Sequence, residues 1–296
     1  MGARLDGQQT GGRAASWKPR FAAGLLFAAT LLSIMPAVGK AAEVPIPPPG
    51  ASSRIDAIKE RGALRVAVLD EYPWLKQNTN GRNPPFVGPA WLLADEYARR
   101  LRVRIETTPV SFDDKVSILK SGQVDITIVP LLQTPERDEI VDFIPYSMAA
   151  QCLFGLADNP KVAQAGSIDD LNRSDVTIAF VTDTPQGRWL QTRLPAAARR
   201  GISGNITDVA VDEIVSHRAD VAPIDQFFFA GLARRLPGLV SLPKGDACLT
   251  SRELPIPIGM AIDKGDSAFL AWLRAVARAA KPEVEAEQAR VVQTGR

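Results

Sequence analysis

The sequence predicts an α/β protein built as two successive lobes, and three observations carry that expectation. β-branched runs alternate with stretches whose apolar residues recur every three or four positions. The connections between them are short, as in a mostly parallel sheet flanked by helices. The pattern also occurs twice, on either side of Phe143-Ile144-Pro145-Tyr146.

In order, the proline-stiffened stretch Val44-Pro45-Ile46-Pro47-Pro48-Pro49-Gly50 precedes a short helix capped by Ser52 or Ser53 and ended at Gly62. A strand over 64–69 leads into the turn Asp70-Glu71-Tyr72-Pro73-Trp74, and 76–89 reads as a loop. Helix 90–101 presents Trp91, Ala94, Tyr97, Ala98 and Leu101 on one face. A strand over 103–108, a helix over 112–120 and a strand over 125–129 complete the first round. The second round is read as strands 150–156, 176–181, 206–211 and 220–224, with helices near 168–171, 185–194 and 211–217. Helix 227–236 and a late strand 256–262 follow. Gly265-Asp266-Ser267 starts a long helix to about 280, and the polar remainder is expected to be loosely held. The predicted boundaries are 1–42 for a targeting segment, 43–53 for a linker, 54–146 for the first lobe and 147–264 for the second. Residues 265–296 return to the first lobe and form a C-terminal tail. Two such lobes imply a cleft, with ligands outside the carboxyl ends of the strands.

The targeting segment has Arg13, Lys18 and Arg20 ahead of an apolar run over 21–38. Pro36 interrupts that run, and the small residues of Ala37-Val38-Gly39 suit a signal peptidase. Cleavage is expected near 39–42 with release to the periplasm, an uncleaved anchor being the alternative. No cysteine follows closely, which excludes a lipoprotein anchor. Processing after Gly39 would remove four cations and one anion and shift the formal net charge from +2 to −1. The mature chain therefore has no basic footprint for nucleic acid, and no phosphate-binding glycine loop follows a strand.

Two cysteines, Cys152 and Cys248, survive processing, and an even count in an exported chain predicts one disulfide. Two separate buried thiols are the alternative. The single histidine, His217, rules out a multi-histidine metal site and is read as a surface residue. No metal or cofactor is expected.

The most pointed motif is Thr134-Pro135-Glu136-Arg137, twelve residues beyond Asp125 of Gly122-Gln123-Val124-Asp125-Ile126. An arginine held at a helix start beside a sheet edge can grip a carboxylate through two parallel hydrogen bonds. The bland reading is an ordinary solvated arginine.

Four segments in order, LRVAVLDEYPW, SGQVDITIVPLLQTPERDEIVDFIPY, HRADVAPIDQFFFAGL and PIPIGMAIDKGD, make the chain from 55 to 280 resemble the bacterial extracellular solute-binding proteins of family 3. That resemblance implies a two-lobed periplasmic-binding-protein clamp joined by two crossover strands. It further implies that Arg137, preceded by Thr134, holds a ligand carboxylate. Tyr72 and Trp74 would pack over the ligand, and Thr184, in Asp183-Thr184-Pro185, would offer a helix start. Asp225, five residues beyond Asp220, would take the ligand ammonium. Each has a plain structural reading, Asp225 as a helix cap and the aromatics as core.

The chain also departs from the family pattern. Pro89-Ala90-Trp91-Leu92 replaces an aromatic-acid run. Pro130 lacks a backbone donor, Leu132 replaces a hydroxyl residue, and Asp183 stands where a glycine is usual. The 143–146 segment is one residue shorter than usual, and the final helix lacks a Gly-Tyr ending.

The resemblance implies a monomeric periplasmic protein without catalysis. It would capture a small polar solute, an amino acid or related amine or carboxylate, for an inner-membrane ABC permease. The alternatives are an accessory or signalling protein on the same fold that meets a periplasmic protein partner, and an enzyme like the cyclohexadienyl dehydratases. In that last case Glu71, Asp183 or Asp225 would serve as acid or base.

Overall fold

A computed structural model describes residues 43–79, 83–203 and 206–295. The predicted targeting segment, 1–42, lies outside the described residues. Among the described residues no helix is long and apolar enough to cross a membrane.

Local chemistry sets the first elements. The Ser52 side chain accepts from the Ile55 amide, and Gly62 adopts φ 69°, so helix α1 (Ser53–Arg61) has a hydroxyl cap at one end and a left-handed stop at the other. Strand β1 (Ala63–Val68) follows, then the small hairpin β2 (Lys76–Gln77) and β3 (Phe86–Val87). Helix α2 (Pro89–Leu101) begins at Gly88, where a Cβ would lie 2.6 Å from the Trp74 carbonyl oxygen. Strand β4 (Arg104–Pro109), the short α3 (Asp114–Ser117) and strand β5 (Ile126–Leu132) complete the first round, and α4 (Pro135–Ile140) leads out of it.

The second round uses β6 (Val141–Leu156), α5 (Pro160–Ala163), β7 (Thr177–Val181), α6 (Pro185–Arg193), β8 (Ala198–Ile202) and α7 (Ile206–Val215). It continues with β9 (Val221–Asp225), α8 (Gln226–Arg235) and β10 (Leu239–Leu242). Strand β11 (Glu253–Asp263), α9 (Ser267–Ala279) and α10 (Lys281–Thr294) bring the chain back.

The two-lobed architecture follows from the pairing. In the first lobe β4, β1 and β5 are parallel; in the second β9, β7 and β8 are parallel. The long strands β6 and β11 run antiparallel to each other from Asp263↔Val141 to Glu253↔Gln151 and pass from one lobe to the other. They join both trios in the order β4-β1-β5-β11-β6-β9-β7-β8. Pro130 falls where the β5–β11 register shifts, between Gly259 and Ala261, so its missing donor coincides with a break in the ladder.

The core is divided accordingly. One face of the first-lobe sheet carries a large aromatic cluster with Trp74, Trp91, Tyr97, Phe269 and Trp272, and a smaller cluster around Phe143 covers the other. The second lobe has two smaller, mainly aliphatic clusters on its two faces. Val44 and Ile46 of the proline-rich stretch pack against the first-lobe cluster. Cys152 of β6 and Cys248 form a disulfide with Cα atoms 5.8 Å apart, and both residues are buried in the second lobe.

Two sequence expectations are corrected. The stretch read as strand 206–211 is helical in α7, and the strand lies earlier, in β8. Ala210 and Ile214 are buried one turn apart, so the helical period wins over β-branched composition. The exposed, arginine-bearing edge strand β8 offered no alternation to read. Second, 281–294 is not loosely held: α10 buries Val284, Gln288, Val291 and Val292. Those four positions form one helical stripe that overall polarity concealed.

Candidate functional site

The carboxyl ends of β1, β5, β7 and β9 meet at the cleft, and each carries one of the singled-out groups. The turn after β1 carries Glu71 and Tyr72, the start of α4 Arg137, the start of α6 Thr184, and the end of β9 Asp225. A cavity of about 620 Å³ is lined by Glu71, Tyr72 and Phe112 from the first lobe, facing Phe228, Gly231 and Arg234 from the second; Arg137, Thr184 and Asp225 are not among its lining residues.

Glu71 is the electrostatic centre of this region. Burial pushes its carboxyl up from the ordinary value, while Lys115 and Arg137 pull it back. Lys115 is buried, with Nζ 3.7 Å from Glu71 Oε2 and 3.7 Å from the centre of the Phe112 ring. Burial lowers the Lys115 ammonium, Glu71 opposes that shift, and Arg137 adds to it by repulsion. Burial likewise pulls Arg137 down against the attraction of Glu71. Tyr146 is carried well above its ordinary value by burial, with Glu71 adding.

On the opposite lobe Asp225 Oδ1 accepts from the amides of Phe227 at 2.8 Å and Phe228 at 3.1 Å. Its Oδ2 is buried without a hydrogen-bond partner. Burial raises Asp225 to about 7, the two amides oppose the shift, and Glu71 adds to it. Gln151 stands directly opposite Asp225 across the β6–β9 ladder. Glu71 Oε2, Tyr146 Oη, Gln151 Oε1 and Gln226 Oε1 are also buried without hydrogen-bond partners. Buried polar atoms left open at a cleft are what a polar ligand would satisfy.

The predicted residues have different surroundings. Arg137 is half-buried and donates from Nη1 to the Leu132 carbonyl at 2.6 Å. Thr134 caps α4, accepting from the Arg137 amide. Thr184 caps α6, accepting from the Gly187 amide and donating to the Val181 carbonyl at 2.7 Å. Asp183 has φ 59° and is exposed, so its charge faces solvent. Tyr72 lies on Gly231 of α8, where a Cβ would be 2.8 Å from its ring, and its hydroxyl accepts from Arg234 at 3.3 Å. Trp74 belongs to the first-lobe core and meets Phe227 edge to face at 6.2 Å between ring centres. It does not line the cavity. His217 is exposed.

Lys115, Phe112, Tyr146 and Gln151 were not singled out from the sequence. A signal for Lys115 exists: it sits one helical turn before the buried Leu119, on the apolar side of its segment.

The chain matches the model of the bacterial extracellular solute-binding proteins, family 3, over residues 64–289. It is similar in structure to an ancestral cationic amino acid solute-binding protein (AncCDT-1), with a TM-score of 0.60 and 30% identity. That match covers 80% of this chain and 99% of the other. The arginine-bound form of truncated ArgBP from T. maritima is similar at 26% identity and a TM-score of 0.56, covering 75% of this chain and 98% of that one. Among curated proteins, the membrane-bound lytic murein transglycosylase F of Aeromonas salmonicida (strain A449) is 27% identical over 173 residues, which is 57% of this chain. The chain spans 32% of the length of that relative.

Proposed function

Because the chain belongs to the bacterial extracellular solute-binding proteins of family 3, we propose that it captures a small solute bearing an amine and a carboxylate, most simply an amino acid, in the periplasm. It then delivers the solute to an inner-membrane ABC permease. The observation that carries this reading is a charged neighbour common to one cation and one open carboxylate oxygen, Glu71. Arg137 on the first lobe and the open oxygen of Asp225 on the second both lie within the influence of Glu71. An anion-binding end and a cation-binding end on separate lobes let a zwitterion hold the lobes closed. The similarity to an ancestral cationic amino acid-binding protein and to an arginine-bound ArgBP supports the same ligand class.

The test is a thermal-shift screen of residues 40–296 against amino acids, amines, organic acids and sugars. A ligand at 100 times its Kd stabilises by about 2.7 kcal/mol, a shift of several degrees. A hit is expected, and Arg137→Ala is expected to abolish it with little change in the melting temperature of the free protein. A hit that survives Arg137→Ala unchanged overturns the role given to Arg137.

A second reading draws on the two neighbouring carboxyls, Glu71 and Asp225, both raised toward neutrality by burial. A carboxyl of pKa near 7 suits acid–base work of the cyclohexadienyl dehydratase kind. Turnover of a cyclohexadienyl substrate, lost in Asp225→Asn, would favour it over simple capture.

A further inference from the structure

Behind the first-lobe wall two cations, Lys115 and Arg137, share one buried carboxylate, Glu71; Glu136, which also attracts Arg137, is exposed, and Asp70 is paired with Lys76. Lys115 and Arg137 each interact with Glu71, and they repel each other. Asp113, which also attracts Lys115, is exposed to solvent. The Lys115 ammonium makes no hydrogen bond among the described residues: Glu71 Oε2 is beyond hydrogen-bond reach at 3.7 Å, and the other contact is the Phe112 ring. Both of those contacting groups line the 620 Å³ cavity. Burying an ammonium without hydrogen bonds is costly, and a salt bridge at this separation compensates poorly.

The carboxylate end of the cleft is short of donors for a separate reason. Pro130 has no N–H, Leu132 has no hydroxyl, and one arm of Arg137 is engaged by the Leu132 carbonyl. The Lys115 ammonium, whose one carboxylate contact is Glu71 Oε2 at 3.7 Å, has donor capacity to spare directly behind Glu71 and Phe112, which line the cavity.

We propose that Lys115 is a second cation for the ligand carboxylate, acting beside Arg137, so that the cleft takes an amino acid in preference to the corresponding amine without its carboxylate. A carboxylate placed between the two cations neutralises the wall, since Glu71 already balances one of them. Lys115 thereby supplies the donors that Pro130 and Leu132 removed. This assignment rests on the amino-acid reading above and adds the residue that sets carboxylate selectivity.

The experiment is isothermal titration of residues 40–296 with each of the twenty common amino acids, and of each binder beside the amine formed by its decarboxylation. The parent is expected to favour the amino acid. In Lys115→Met, which keeps the side-chain length, amino-acid affinity is expected to fall about tenfold or more, the usual weight of a charge-assisted hydrogen bond. Amine affinity is expected to stay within about twofold of the parent on the same scale. The double variant Glu71→Gln/Lys115→Met avoids an unpaired buried carboxylate and is expected to show the same loss of selectivity. Unchanged amino-acid affinity in Lys115→Met overturns the proposal, as does an equal loss for amino acid and amine. Failure of both variants to fold makes Lys115 a structural residue and also overturns it. Silence of the parent toward every amino acid and amine overturns the amino-acid reading itself, a different result from binding that ignores Lys115.

Discussion

The two lobes begin their third parallel strand in the same way and then diverge. In the first lobe Asp125 stands just before β5 and accepts the Arg65 amide of neighbouring β1 at 2.8 Å, with the Arg61 and Arg65 side chains closing around it. In the second, Asp220 stands just before β9 and accepts the Thr177 amide of neighbouring β7 at 2.8 Å, with Lys161 and Asn159 closing around it. Each aspartate ties a strand to its neighbour and fixes the register. Beyond that shared device the first lobe places charged side chains at the cleft, Glu71, Lys115 and Arg137. The second offers Asp225, the neutral Gln151 and Gln226, and the arginines Arg234 and Arg235 of α8 at the cavity. Equivalent scaffolding therefore carries unequal chemistry at the strand ends.

The lobes also differ in what holds them together, and the largest expected effect tests that difference. The second lobe has smaller aliphatic clusters and the Cys152–Cys248 bridge, which closes 96 residues of chain. In the chain-entropy model such a bridge contributes up to about 4–5 kcal/mol. Cys152→Ser/Cys248→Ser is expected to lower the melting temperature by about 10 °C. Hydrogen exchange is expected to rise chiefly in β7, β9 and β10; a uniform rise across both lobes would contradict the division.

The first lobe depends on aromatic volume. Trp272, 3% exposed, packs against Tyr97 at 5.7 Å between ring centres, and the Tyr97 hydroxyl donates to the Leu273 carbonyl at 3.1 Å. Trp272→Ala is expected to cost about 3–4 kcal/mol in urea unfolding. Exchange protection in β7 and β9 should be nearly unchanged, the mirror image of the disulfide result.

The third expected effect concerns Asp225 and appears only as the pH rises. The free carboxyl ordinarily titrates near 3.8, and burial raises it to about 7 in the fold. Between those values the unfolded chain releases the proton before the folded chain does, so stability falls as pH rises from about 4 to 7 and is level above that. Asn retains the oxygen that accepts from the Phe227 and Phe228 amides but carries no charge. Ligand-free Asp225→Asn should therefore nearly match the parent at pH 4 and exceed it by about 4 kcal/mol at pH 8. Thermal melts at the two pH values measure this, and a constant difference would contradict it.

Much of the architecture was legible because it is periodic. Helix 90–101 and the strands of both parallel trios follow alternation or three-to-four spacing that local sequence displays. Arg137 in the first turn of α4 and Asp225 at the end of β9 stand at fixed offsets from Asp125 and Asp220, and those placements were legible. Lys115 was not, because next to Asp113 and Asp114 it reads as part of a solvated helix start. Its burial is produced by Glu71, more than forty residues earlier, and by the Phe112 ring. Tyr72 and Trp74 are two residues apart and chemically alike, and only tertiary packing assigns one to the cavity and the other to the core. The α10 stripe was present in the sequence but spread among charged residues.

The return of the chain to the first lobe bears on how the protein comes into being. Ser52 hydrogen-bonds Asp266 at 2.8 Å, and the first-lobe cluster joins Ile55 and Val66 to Phe269, Trp272 and Val284. A ribosome delivers these partners more than two hundred residues apart. Until the last helices emerge, α1 and α2 cover the apolar face of the first lobe only in part, and its core is completed last.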